Sequence, residues 1–220
     1  MRLEGKTIPS KQIVTKIKNP KRILARRQQI INGAIKVFNT KGYYNSTTKE
    51  IAQAAGMTEG TLYNYIGSKE DIIYIVYEYI TDILRSELEK AISGSKDPKD
   101  RLKTALMQIL RTIDKHQDII MFIYKESKSL DRESLHTVLA RETEYIEIFQ
   151  GLLNDYFGEK KIETRKLKLS ADLIAFIPVI WTFRRWSLNR RFSSSTKVFE
   201  DIIEFILYGI EFARKSSCKR

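Results

Sequence analysis

The chain has 220 residues, 39 Lys and Arg against 27 Asp and Glu for a net charge of +12, and only 4 Pro and 10 Gly. That length supports a small head and one larger core, and so few chain-breaking residues favour an all-α protein over a turn-rich one. The single cysteine, Cys218, excludes an internal disulfide framework, and the longest apolar stretch, residues 173–183, falls far short of the ~20 residues that span a bilayer.

The charge is unevenly placed. Residues 1–29 hold Arg2, Lys6, Lys11, Lys16, Lys18, Lys21, Arg22, Arg26 and Arg27 against Glu4 alone. A segment this basic suits a polyanion, where each neutralised phosphate releases counterions; a solvated, disordered tail over residues 1–18 is the other reading that such composition allows. No apolar run follows the N-terminal charges, so they do not form a secretory signal. A soluble, cytoplasmic protein is expected.

From Ile23 the residues Ile30, Ile31, Ala34, Ile35 and Phe38 recur at spacings of three and four, predicting a first helix that Gly42 ends. Tyr43 and Tyr44 follow in a loop. Thr47 then caps a second helix, with Glu50 three places on to complete a capping box, and Ile51, Ala52 and Ala55 are its inner face. Gly56 suits a left-handed turn, because it takes positive φ without a Cβ penalty. Thr58 caps a third helix in which Leu62 points inward while Glu59, Gly60, Thr61, Tyr63 and Asn64 are free to point outward. Two short helices crossed in this way form a helix-turn-helix, whose second helix fits the major groove of DNA.

Ser68 and Asp71 predict the cap of a long helix through Ile72, Ile73, Val76, Tyr79, Ile80, Ile83, Leu84, Leu88 and Ile92. At ~1.5 Å per residue, some 24 residues would reach about 36 Å. Ser93-Gly94-Ser95-Lys96 breaks it. Asp97-Pro98 caps the next helix, a shorter one covers about Asp118–Lys125, and a long one runs from about Arg132 to Gly158. The last two, about Thr164–Leu188 and Thr196–Lys215, flank a polar loop over 189–195. Pro178 lies inside the first of this pair and should kink it and free a carbonyl. The second has Phe199, Ile202, Ile203, Ile206, Ile210 and Ala213 on one face and Phe205, Leu207 and Phe212 elsewhere, so it needs more than one partner surface. The count is about nine helices.

The run Thr47-Thr48-Lys49-x-Ile51-Ala52-x-x-Ala55-Gly56-Met57-Thr58-x-Gly60-Thr61-Leu62-Tyr63-x-Tyr65-Ile66-x-Ser68-Lys69-Glu70 closely resembles the DNA-binding region of TetR-type bacterial transcriptional regulators. The resemblance covers about residues 25–75; beyond that only the architecture is similar. It implies a helix-turn-helix head over 21–67, following a basic arm over 1–20, and a ligand-binding and dimerisation domain over 68–220. It also implies that an aromatic from the Tyr43-Tyr44 loop fills the head's core. The final helix pair is expected to join its copy in a homodimer.

By the same resemblance, Thr48, Tyr63 and Lys69 match positions that hold phosphates, and Lys49, Glu59, Gly60, Thr61 and Asn64 match positions near base edges. Lysine can donate to guanine, asparagine can bridge adenine N6 and N7, and glutamate can accept from cytosine N4. Glu59 is unusual, since phosphate repels a carboxylate that has no donor, and a charge on the helix dipole is the alternative account. One head reads few base pairs, so a near-palindromic operator is expected.

For an effector, the aromatic-rich body suggests an apolar site near Phe122, Tyr145, Phe149, Pro178 and Trp181. The stretch from Trp181 to Trp186 is loosely similar to one in family members that bind acyl-CoA thioesters, with Arg184 and Arg185 placed to hold an anionic head. Surface arginines at a dimer seam are an equal reading. His116 and His136 lack metal-ligand spacing, and there is no Gly-rich phosphate loop or nucleophile arrangement. No enzyme activity, metal or cofactor is therefore expected. A terminal Cys218 fits a bystander better than a thiol sensor. The composite reading is a ligand-responsive repressor; the alternatives are a DNA-binding protein without an effector and a basic membrane-surface or scaffolding protein.

Overall fold

A computed structural model describes residues 11–13, 15–159 and 162–217. Arg2, Lys6, Glu4 and Cys218 lie outside the described residues. Among those described, every regular element is helical: α1 (Pro20–Lys41), α2 (Thr48–Ala54), α3 (Glu59–Leu62), α4 (Lys69–Ser93), α5 (Pro98–Lys115), α6 (Gln117–Glu126), α7 (Arg132–Phe157), α8 (Thr164–Phe176), α9 (Ile180–Arg191) and α10 (Ser195–Ser217). These are the nine expected helices with the eighth divided into α8 and α9. The division is a 3-10 turn at Ile177–Val179, centred on Pro178, whose missing N–H and ring break the α-helical ladder there.

The chain forms two compact units that are interleaved in sequence, whereas the expected domains are consecutive. The first holds the described residues up to Thr81 together with Asp118–Arg141, and the second holds Asp82–Gln117 and the described residues from Glu142 on.

In the first unit, α1 begins earlier than the apolar periodicity suggested. Asn19 accepts from the Arg22 N–H, and Pro20 occupies the first turn where its missing N–H costs nothing. The core combines Ile30, Ile31, Ala34 and Phe38 of α1 with Ile51 and Ala52 of α2, Leu62 of α3 and Tyr65. The crossing of α1 and α2 depends on Gly33: a Cβ there would lie 2.7 Å from the Ala55 nitrogen and 2.9 Å from the Ile51 oxygen. Tyr43 is buried against Phe38, while Tyr44 is exposed. Phe122 of α6 also stacks on Phe38, with ring centroids 4.7 Å apart.

In the second unit α5 is the central helix. Leu102, Ala105, Leu106, Ile109, Leu110 and Ile113 are fully or almost fully buried, packed by the 3-10 turn at Ile177–Val179, α9 and α10. Its start is the expected Asp97 cap with Pro98 behind it. No helix among the described residues is long and apolar enough to cross a membrane.

Candidate nucleic-acid interface

Local capping builds the crossed pair α2–α3. Thr47 accepts from the Glu50 N–H, and the Glu50 carboxylate accepts from the Thr47 N–H at 2.9 Å, the reciprocal box that the spacing predicted. Lys41 pairs with the same carboxylate. That ion pair, then the Thr47 donors, hold the Glu50 pKa down at about 2, against an ordinary 4.5. Gly56 has φ +69°, so the turn is the left-handed one a glycine accommodates. Thr58 then caps α3 by accepting from the Thr61 N–H.

Burial separates the two faces of α3. Leu62 and, just beyond it, Tyr65 and Ile66 are buried, whereas Gly60 and Tyr63 are exposed and Thr61 and Asn64 are half-buried. On α2, Lys49 is exposed beside the half-buried Thr48. A Cβ on Gly60 would meet nothing within 4 Å, so this glycine leaves open surface on the outward side of α3.

Three of the singled-out side chains are joined by hydrogen bonds. The Tyr63 hydroxyl donates to the Thr48 hydroxyl at 3.2 Å, and Thr48 donates to the Glu59 carboxylate. Glu59 thus has the donor that a carboxylate at such a surface requires. Lys69 is placed differently. Its ammonium donates to the backbone oxygens of Tyr43 and Ser46 and lies 4.2 Å from the Tyr43 ring centroid. Burial pushes its pKa below the ordinary value. Because an ammonium has three donors, one remains after those two bonds. Tyr43 in turn donates to Glu70 at 3.1 Å, which ties the loop to the start of α4.

The chain before α1, which the sequence marks only by its charge, also meets the end of this helix pair. The Asn64 backbone oxygen accepts from the Lys16 N–H at 3.1 Å and from the Thr15 hydroxyl at 2.9 Å. Ile13 is buried. No periodicity marks such a segment, because it is neither helix nor strand. The signal that the sequence carries is an apolar Ile13 between Lys11 and Lys16.

Of the residues singled out for an effector, Phe122 lies in the first unit and the other six in the second. Phe122 belongs to the core of the first unit. In the second, Tyr145 and Phe149 of α7 meet edge to face at 5.4 Å. Trp181 is fully buried, with its indole N–H donating to Asp114 at 2.7 Å, and Arg185 pairs with the same carboxylate at 2.9 Å. Asp114 was not singled out in the sequence, where it looks like one more charge near the end of α5. Pro178 is buried at the 3-10 turn, and Arg184 is exposed with its guanidinium 5.9 Å from the Trp186 ring. Among the described residues, no group of three or more His, Cys, Asp or Glu side chains is arranged to hold a metal.

Comparison with known proteins gives the same assignment for both parts of the chain. The family model described as "Bacterial regulatory proteins, tetR family" matches residues 30–74, and "Tetracyclin repressor-like, C-terminal domain" matches residues 95–184. The chain is 27% identical over 193 residues to the HTH-type transcriptional regulator HbdR of Aromatoleum sp. (strain CIB), covering 88% of this chain and 83% of that one. The fold matches FadR from Bacillus subtilis, solved in complex with stearoyl-CoA, with TM-score 0.67 and 21% identity over 81% of this chain and 96% of that one. It also matches AibR, solved with isovaleryl coenzyme A and operator DNA, with TM-score 0.68 and 18% identity over 82% and 97%. These relatives are DNA-binding regulators and not enzymes, and the two family models together span more than half of the sequence: the chain belongs to the TetR family of bacterial transcriptional regulators.

Proposed function

We propose that the protein is a cytoplasmic repressor that binds a near-palindromic operator as a homodimer and is released by a small, largely apolar effector, an acyl-CoA thioester. The observation that carries the DNA half is the division of α3: Leu62 inward, and Gly60, Tyr63 and the neighbouring Lys49 outward. Thr48, Tyr63 and the remaining donor of Lys69 serve phosphates; Lys49, Glu59, Gly60, Thr61 and Asn64 face base edges. For Thr48 and Tyr63 to reach phosphate, each must turn its one hydroxyl hydrogen away from its present acceptor. Glu59 then becomes free to accept from a cytosine amine.

The homodimer reading is supported by apolar side chains left at the surface of α8, α9 and α10. Leu169, Leu173, Ile180, Phe183 and Trp186 are exposed, and Phe205, Tyr208 and Phe212 follow one another at helical spacing with exposures of 71%, 76% and 64%. A row of this kind is the surface a second copy covers. The effector class is supported by the ligands of FadR and AibR and by the arginine-rich α9, where Arg184 is available to an anionic head. Tyr145, Phe149, Pro178 and Trp181 are the residues proposed to surround the apolar part and Arg185 to stand with Arg184 at the anionic head, while Phe122 remains with the core of the first unit. Effector binding in the body would shift the dimer between DNA-competent and incompetent states, a coupling of about 1–3 kcal/mol or about 5- to 150-fold in operator affinity.

The test is selection of operator sequences from a random duplex pool, followed by binding measurements with a series of acyl-CoA thioesters. Enrichment of an inverted repeat, and weaker binding with acyl-CoA but not with free coenzyme A, is the expected result. A pool that never converges overturns the operator reading, and an affinity indifferent to every thioester overturns the effector class.

A further inference from the structure

The basic residues before α1 are not all free to meet DNA. Lys11 is largely buried, its side chain 14% exposed. Its ammonium lies 2.9 Å from the Asp131 carboxylate, 3.1 Å from the Ser134 hydroxyl and 3.1 Å from the Asp71 carboxylate. Its backbone N–H donates to the Tyr74 hydroxyl at 2.8 Å. Burial works against the charged form here, but the bonds and charges of Asp131 and Asp71 outweigh it and the Lys11 pKa lies above its ordinary value.

Both carboxylates are themselves structural. Asp71 accepts from the N–H groups of Gly67 and Ser68 at 2.8 and 3.2 Å, closing the turn that leads from α3 into α4. Asp131 accepts from the Ser134 N–H at 2.9 Å and caps α7. Beyond Lys11, Ile13 is buried, and its carbonyl and that of Tyr65 are both 3.5 Å from the Arg27 guanidinium. Thr15 and Lys16 then hold the Asn64 carbonyl. Two ends are therefore fixed: one at the starts of α4 and α7, the other at the last residues of the α3 turn.

We infer that Lys11–Ile13 and Thr15–Ile17 form a strap that sets the position of Asn64 in the operator groove, with Lys11 a positioning residue and not a phosphate contact. The strap rests on the proposed role of α3 in reading DNA. Its bonds go to the backbone oxygen of Asn64, so they fix where the side-chain amide starts from while leaving that amide to a base. The partners of Lys11 are α4 and α7, which both run on into the second unit, so a movement of either helix start would be felt at Asn64.

The experiment uses the full chain with Lys11→Met, Lys11→Arg and Thr15→Val, and reads two quantities. The first needs no DNA: amide hydrogen exchange over residues 59–66. Faster exchange there in Lys11→Met and Thr15→Val, with the α5 amides unchanged and Lys11→Arg near the wild type, is expected. Unchanged exchange over 59–66 in both variants overturns the strap, whatever the DNA result.

The second is binding to a selected operator and to a random duplex over a range of salt. A positioning lysine loses discrimination, by about ten-fold for a charged hydrogen bond, without changing the salt slope. A phosphate contact instead lowers the slope of log K against log salt by about 0.9 and leaves discrimination intact; that outcome overturns the inference. Thr15→Val, which removes no charge, must lose discrimination in the same direction. If the wild type selects no operator, the role of α3 fails, and the exchange data alone still decide the strap.

Discussion

Thr48 of α2 donates its hydroxyl hydrogen to the carboxylate of Glu59 at the first turn of α3, and so spans the turn between the two crossed helices. The bond accounts for an acidic residue on a surface meant for a polyanion. Tyr63 donates into the same chain at 3.2 Å, so three residues that the sequence offered as separate DNA contacts form a connected unit in the free protein. With the DNA contacts proposed above, binding would exchange these bonds for bonds to phosphate and base, and the net gain would be smaller than the count of new contacts suggests.

Removing the carboxylate tests this exchange. Glu59→Gln is expected to tighten binding to random duplex, since a negative charge near phosphate is lost, and to cost about 1–3 kcal/mol of discrimination at one base pair. Titration against operators altered one position at a time is the measurement. A uniform change at every position would rule out base contact by Glu59.

Two glycines should answer oppositely to alanine. Gly33→Ala is expected to destabilise the protein by about 1–3 kcal/mol in denaturant unfolding, because the new methyl group meets backbone atoms of Ala55 and Ile51 and cannot be relieved by a rotamer change. Gly60→Ala has open space around it and should leave stability within about 1 kcal/mol of wild type while weakening operator binding. Equal stability losses would show that the close approach at Gly33 is not the reason for its glycine.

The capping box gives a pH dependence with a definite sign. The folded pKa of Glu50 is depressed to about 2 from 4.5. Its contribution to stability is therefore fully present above the unfolded value and is lost as pH falls from about 4.5 through 2. Carboxyl NMR titration of Glu50 should show the low midpoint, and Lys41→Met should move it upward, since Lys41 is the largest cause. A Glu50 midpoint near 4.5 in the wild type would remove the box as a source of α2 stability.

The exposed row on α10 predicts assembly. Phe205→Glu with Tyr208→Lys should leave helical content unchanged but convert the protein to a monomer in sedimentation experiments, with weaker binding to a full operator and little change for a half-site. A wild type that sediments as a monomer at micromolar concentration would contradict the proposed homodimer.

Most of the head was legible because its signals are local. Thr47 with Glu50, Thr58 with Thr61, and Gly56 each act within three or four residues, so sequence spacing states the bond directly, as Asp97-Pro98 does for α5 in the second unit. Asn19-Pro20 is the same kind of signal, and it begins α1 ahead of the apolar periodicity that marked the helix. The break at Pro178 was likewise readable, since proline lacks the donor that a helix interior needs.

Other features needed the fold. In the sequence an aromatic on an amphipathic helix looks the same whether it lines a pocket or, as Phe122 does, stacks on Phe38. The sequence shows Lys69 and Lys11 only as charges, and the fold alone shows that their ammonium groups are largely engaged by carbonyls and carboxylates far away in sequence.

The sequence by itself determined the all-helical class, the crossed pair α2–α3 and the outward residues of α3, because capping and periodicity are properties of neighbouring residues. Only the tertiary structure decided which cations remain for phosphate, what Glu59 accepts from and where the chain before α1 is anchored. Those choices depend on partners between about ten and more than a hundred residues apart, and a charge carries no mark in the sequence of the partner that folding will bring to it.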